Sequence, residues 1–91
     1  MYQIHYTSKF KKDFTIVSKR KYKLILLEKA IMFLTEKSQL PPNYRPHKLS
    51  GDFADTWCAH IKPDWLLLYL IDETNAEIWL IGTGTHSDLF Q

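Results

Sequence analysis

Four histidines, His5, His47, His60 and His86, are the side chains best suited to move a proton near neutral pH, because an imidazole with an ordinary pKa of ~6.5 donates or accepts there. Three of them, His47, His60 and His86, fall in loops or at element ends, where sites are usually assembled. Asp64 lies across the Pro63 turn from His60, placed to orient an imidazole or take a proton. Such a set suits phosphodiester cleavage in RNA. A base removes the 2′-OH proton, an acid protonates the leaving 5′-oxygen, Lys or Arg steadies the charged phosphorus centre, and aromatic rings stack on bases. The competing reading, that these histidines are unrelated surface polar groups, is the commoner one when each is taken alone.

Other chemistries find little footing. The chain lacks a G-x-x-x-x-G-K-[ST] loop, a G-x-G-x-x-G turn and the paired cysteine or histidine spacings of zinc sites, so neither cofactor nor metal is expected. Gly82-Thr83-Gly84 is only a fragment of a nucleotide turn. The single cysteine, Cys58, reads as a small residue within a strand rather than a nucleophile. It cannot close an intrachain disulfide, which makes a reducing cytoplasm the default location.

The elements that must carry these residues follow from hydrophobic spacing. Tyr2, Ile4 and Tyr6 alternate with polar residues, as in a strand with one buried face. Thr7 and Ser8 are suitable N-caps for a helix whose apolar stripe is Phe10, Phe14 and Val17. After a basic break at Lys19 to Lys21, Leu24, Leu27, Ile31 and Leu34 predict a second helix, which must end before Pro41 and Pro42. A long connection, Ser38 to Gly51, follows. Asp52 to His60 then reads as a strand, Ile61 to Asp64 as a turn, Trp65 to Ile71 as a buried central strand, and Ala76 to Ile81 as a further strand. The tail Gly82 to Gln91 carries an apolar anchor, Leu89 and Phe90. The order β-α-α-β-β-β predicts an α+β domain, its N-terminal helical hairpin packed on a mainly antiparallel sheet.

With 91 residues, 45 % of them hydrophobic and 24 % charged, the chain has the size and composition of one globular domain, residues 1–91. Its longest apolar run, Trp65 to Ile71, is far shorter than the ~20 residues of a membrane span, and no apolar signal segment opens the chain, so membrane insertion and secretion are disfavoured. The net charge of +2 conceals a division: residues 1–50 hold eleven Lys and Arg against three acids, whereas residues 51–91 hold Lys62 against seven acids. The first half therefore builds a basic face, either a merely solvated one or one that meets phosphates or an acidic protein.

Three stretches together carry a resemblance: His47-Lys48-Leu49-Ser50-Gly51, then His60-Ile61-Lys62-Pro63-Asp64-Trp65, then Gly84-Thr85-His86-Ser87-Asp88-Leu89-Phe90. In this order and spacing they resemble the YafQ branch of the RelE/ParE toxin superfamily over essentially the whole chain. The resemblance implies a type II toxin with a RelE-like, microbial-ribonuclease-like fold, a metal-independent endoribonuclease that cuts mRNA on the ribosome in the cytoplasm. It implies an acid–base cluster of His47, His60, Asp64 and His86, with Asp64 or a histidine as base and His86 as the preferred acid. Trp65 and Phe90 match positions that shape the site. Lys48 and Lys62, with Lys11, Lys12, Lys19 and Lys21 of the helical hairpin, are the expected nucleic-acid contacts. The implied partner is a cognate antitoxin, of ribbon-helix-helix type, through which the complex would bind operator DNA.

The family commonly carries arginine where this chain has Trp57 and Gly82, leaving Lys48 and Lys62 as the expected source of positive charge. The same two departures motivate an alternative, a toxin-fold binding module with weak or lost cleavage. A third option, a topoisomerase inhibitor on the same fold, has no evident use for the histidines.

Overall fold

Thr7 starts the first helix as its spacing predicts: its hydroxyl accepts the Phe10 N–H at 3.1 Å. The computed structural model describes residues 1–91, with β1 at Gln3–Tyr6, α1 at Ser8–Lys19 and α2 at Leu24–Lys37. Strands β2 at His47–Lys48, β3 at Trp57–Lys62, β4 at Trp65–Asp72 and β5 at Glu77–Gly84 follow, and α3 at His86–Phe90 ends the chain. In α1, Phe10 and Val17 are buried while Phe14 stays partly exposed; in α2, Leu27, Ala30 and Leu34 form the buried stripe. Ser38 closes α2 in the left-handed conformation, with its N–H on Leu34 O, before the two prolines.

The sheet order is β1-β5-β4-β3-β2. All neighbouring pairs are antiparallel except β1 with β5, which run parallel because the α1–α2 hairpin and the β3–β5 meander lie between them in the chain. On the helix side, Phe10, Leu27, Ala30 and Leu34 meet Ala59, Leu67, Tyr69, Ile78 and Leu80 in one core cluster. The central strand is buried from Trp65 to Tyr69, so its other face needs a cover too. Cys58, Leu66 and Leu68 find one in Leu89 of α3, with Leu49 and Ile81 alongside. Cys58 is thus a core residue, and burial pushes its thiol pKa up.

Five expectations need correction. The strand predicted from Asp52 begins only at Trp57, because Gly51–Phe53 form a 3₁₀ turn and Asp55 is left-handed. The turn spans Pro63 and Asp64 alone, with β3 continuing through Lys62. The last strand runs on through Gly84, so Gly82-Thr83-Gly84 is sheet and not a nucleotide turn. Beyond it, the tail is a helix: Thr85 accepts Asp88 N–H at 3.0 Å while Asp88 Oδ2 accepts Thr85 N–H at 2.8 Å, a reciprocal capping box. Only Leu89 of the predicted anchor is buried; Phe90 is not.

Candidate active site

The tight β3–β4 turn puts Asp64 at one end of the sheet, and the end of β5 brings α3 to the same place. Gly84 has φ +150°, and a Cβ there would lie 2.7 Å from Asp88 Oδ2, so glycine is what lets the Asp88 cap close against the strand end. With α3 so placed, His86 donates its backbone N–H to Asp64 Oδ1 at 2.8 Å, and its ring Nδ1 lies 2.5 Å from the same oxygen. A carboxylate only accepts, so Nδ1 carries the hydrogen and Nε2 is left for other chemistry. The backbone N–H of His86, and then its ring, hold the Asp64 carboxyl below the usual range, keeping it ionised at neutral pH.

His60, on the same sheet face as Cys58, sits between the other two histidines. Its ring centroid is 6.0 Å from that of His86 and 6.1 Å from that of His47. His47 comes from β2, its Nδ1 3.1 Å from Arg45 O. Burial lowers the His60 pKa, and Arg45, His47 and His86 lower it further by repulsion; the nearby Tyr44 backbone opposes them weakly. Its Nδ1 is sealed from solvent without a hydrogen-bond partner of normal geometry. At neutral pH His60 is therefore an uncharged base, while His86 stands against a fixed carboxylate. Phe90 packs near His86, with ring centroids 6.4 Å apart, and meets Phe53 edge-on at 5.4 Å, leaving an aromatic rim.

The structure thus gathers His47, His60, Asp64, His86 and Phe90. His5 is elsewhere, stacked on Trp79 and bonded to Glu77. Trp65, expected to shape the site, is only 3 % exposed. Its ring meets Tyr22 edge-on and its Nε1 donates to Thr83 Oγ1 at 2.9 Å, so it supports the site from the core. Lys62 lines an open cleft of about 310 Å³ with Lys23, Tyr22, Leu26, Trp65 and Asp64. Lys48 lies across the sheet from the histidines, its Nζ 5.7 Å from the Trp57 ring centroid. Lys11, Lys12, Lys19 and Lys21 are exposed and enter no ion pair.

At Gly82, a Cβ would lie 2.9 Å from Asp13 Oδ2 and 3.1 Å from Lys9 Nζ. This space is held by the Lys9–Asp13 pair, at 2.7 Å, and Asp13 also accepts the Thr83 N–H. Sequence reasoning passed over Arg45, Phe53 and Arg20. Only the Thr85-x-x-Asp88 capping pattern could have announced α3 and, with it, an acid in need of a cation. No group of three or more His, Cys, Asp or Glu side chains is arranged to hold a metal ion.

Residues 2–91 match the family described as bacterial toxin of type II toxin-antitoxin system, YafQ. The chain belongs to the YafQ toxin family. The mRNA interferase toxin YafQ of Escherichia coli K12 is 32 % identical over 88 residues, 96 % of this chain and 94 % of that protein. Among solved structures, a metal-bound toxin from Helicobacter pylori is 38 % identical, with a TM-score of 0.90 over 99 % of this chain and all of that one. YafQ in the E. coli DinJ-YafQ complex is 29 % identical, with a TM-score of 0.89 over the full length of both chains. The α+β fold of the YafQ family is thus the one the strand and helix order predicted. No helix here is long and apolar enough to cross a membrane.

Proposed function

We propose that this YafQ-family toxin is an endoribonuclease that cuts mRNA on the ribosome by acid–base catalysis. The observation that carries the proposal is the His86–Asp64 pair beside an uncharged His60. A partly buried, uncharged imidazole and a second imidazole held on a carboxylate suit the base and acid roles. His60 takes the proton of the 2′-OH. The 2′-oxygen then attacks phosphorus, and the bond to the 5′-oxygen breaks. His86 Nε2 gives its proton to that leaving oxygen, with Asp64 as counter-charge, so the products are a 2′,3′-cyclic phosphate and a 5′-OH. Arg45 beside His60, and Lys62 and Lys23 in the cleft beside Asp64, are the cations available to the phosphate. The Phe90–Phe53 rim offers a surface for a base.

The exposed lysines of α1 and the following turn supply the ribosome contact, and a cognate antitoxin of ribbon-helix-helix type covers the toxin in the cytoplasm and carries the complex to operator DNA. The family description and the antitoxin-bound relative support the antitoxin itself. The test maps new mRNA 5′ ends in a translating bacterial extract for the unaltered chain, His86→Ala and His60→Ala. Cuts at fixed positions within codons, absent without ribosomes and reduced about 10²- to 10⁴-fold in each variant, are expected. Ribosome binding without new ends would instead make the protein a toxin-fold binding module.

A further inference from the structure

A second cavity, of about 260 Å³, opens on the helix side of the sheet, across from the histidines. Leu40, Trp57, Tyr69 and Ile71 give it an apolar lining, and the exposed Gln39 and Glu73 edge it. Tyr69 is only 1 % exposed, yet its hydroxyl has no hydrogen-bond partner in the protein. Nor is that hydroxyl sealed: the only sealed, unpartnered side-chain atoms are Ser18 Oγ and His60 Nδ1. Its side chain lines this cavity. Water alone can pair with a polar group left this way, until a ligand with its own donors and acceptors takes that place.

We propose that this cavity is a base-reading subsite, holding one nucleobase of single-stranded RNA beside Trp57 and Tyr69, with the base's amino group on Glu73. The proposal rests on the cleavage reading and adds sequence preference to it. At about 260 Å³ the cavity lies just below the ~300–1,000 Å³ of sites for drug-sized ligands, so it suits one flat ring system and not a whole nucleotide. An apolar side chain from a protein partner would fill the lining but leave the Tyr69 hydroxyl unpaired. A base brings both a ring and an edge of donors and acceptors. Burial pushes the Tyr69 pKa up, so its hydroxyl stays neutral and serves as a donor or acceptor. The Glu73 carboxylate only accepts, which favours adenine, guanine and cytosine, with their projecting amino hydrogens, over uracil, whose one base-edge donor is its ring N3–H.

The path of the RNA is set by β2. This two-residue strand is the sheet edge; His47 pairs with Cys58 on the histidine face, and Lys48 pairs with Trp57 on the cavity face. Consecutive side chains of a strand point to opposite faces. A single strand crossing this edge therefore meets His47 on one side and, next along the backbone, Lys48 above Trp57, where a phosphate can sit.

The test titrates the full chain with each of the four nucleoside 5′-monophosphates and with tetranucleotides of each base, following the NMR signals of the Trp57 indole N–H and the Tyr69 ring. Saturable shifts are expected for the amino-bearing bases and weaker ones for uracil. Tyr69→Phe, which keeps the ring, and Glu73→Gln should each weaken binding about fivefold. In the cleavage map, Glu73→Gln should flatten the preference at one fixed position several nucleotides from the cut, because Asp64 and Glu73 flank opposite ends of β4. Shifts at Trp57 without any mRNA cleavage would leave the subsite standing and overturn the cleavage reading. Cleavage with Trp57 and Tyr69 unmoved by all eight ligands would overturn the subsite and leave cleavage standing.

Discussion

Arg20, at the end of α1, donates from both Nη1 and Nη2 to the two carboxylate oxygens of Asp88, 68 residues later, at 2.6 and 3.0 Å. Helix α3 is five residues long, too short to persist by its own hydrogen bonds. Leu89 anchors it below, and the Arg20–Asp88 fork ties it from the side. Because the next contact along α3 is His86 on Asp64, the fork positions the imidazole without touching the substrate.

Arg20→Gln should therefore lower kcat about tenfold while leaving KM for mRNA nearly unchanged, since orientation and not RNA affinity is lost. Arg20, and then the Thr85 N–H, hold the Asp88 carboxyl well below the usual carboxylate range. Its share of stability is complete above the ordinary carboxylate pKa and is lost only as pH falls through the depressed value. Carbon-detected NMR should see the Asp88 titration move upward in the variant. A titration that stays put would show that the fork does not hold α3 in solution.

The pH profile of cleavage should report His60. Burial first, then repulsion from Arg45, His47 and His86, places its pKa below 6.5, so the acid-side limb of the rate profile should fall below that value. Arg45→Gln removes one repulsive charge and should move the limb upward. For stability the sign is fixed by proton uptake. The folded chain binds fewer protons at His60 than the unfolded one, so this residue's contribution is whole above about pH 6.5 and is lost as pH falls toward the depressed value. An unmoved limb in Arg45→Gln would transfer the base role to another group.

Thr83 is 1 % exposed, and its hydroxyl donates to Leu66 O at 2.7 Å while accepting the Trp65 Nε1–H at 2.9 Å. Thr83→Val keeps the shape but orphans the buried indole N–H, so urea denaturation should show a loss of about 1–3 kcal/mol. Little change would mean that water reaches the Trp65 nitrogen.

Lys11, Lys12, Lys19 and Lys21 make no ion pairs that would mask their charge. Changing all four to Gln should weaken ribosome binding and flatten its salt dependence, by roughly one unit of slope for each phosphate contact removed. An affinity unchanged at low and moderate salt would place the ribosome contact elsewhere.

The local elements were legible because their causes are local. Phe10 and Val17 on one stripe, Leu27 and Leu34 on another, the Thr7 cap and the proline stop predict the two long helices from side-chain spacing alone. The candidate site residues were legible as motifs, and His47, His60, Asp64, His86 and Phe90 do converge. What escaped was every feature that depends on which distant segments meet. The parallel pairing of β1 with β5, the second buried face under Leu89, and the Arg20–Asp88 fork each join residues far apart in the chain. Trp65 shows the same limit from the other side: the resemblance placed it among the residues that shape the site, and only the alternation of β4 shows that its ring turns toward Tyr22 and the core. Residue types and spacings determined the helices, the strands and the acid–base chemistry within reach. Tertiary packing decided which histidine lost its charge to burial, which one received a carboxylate, and on which face of the sheet each lysine came to lie, because those outcomes depend on solvent exclusion and on through-space neighbours.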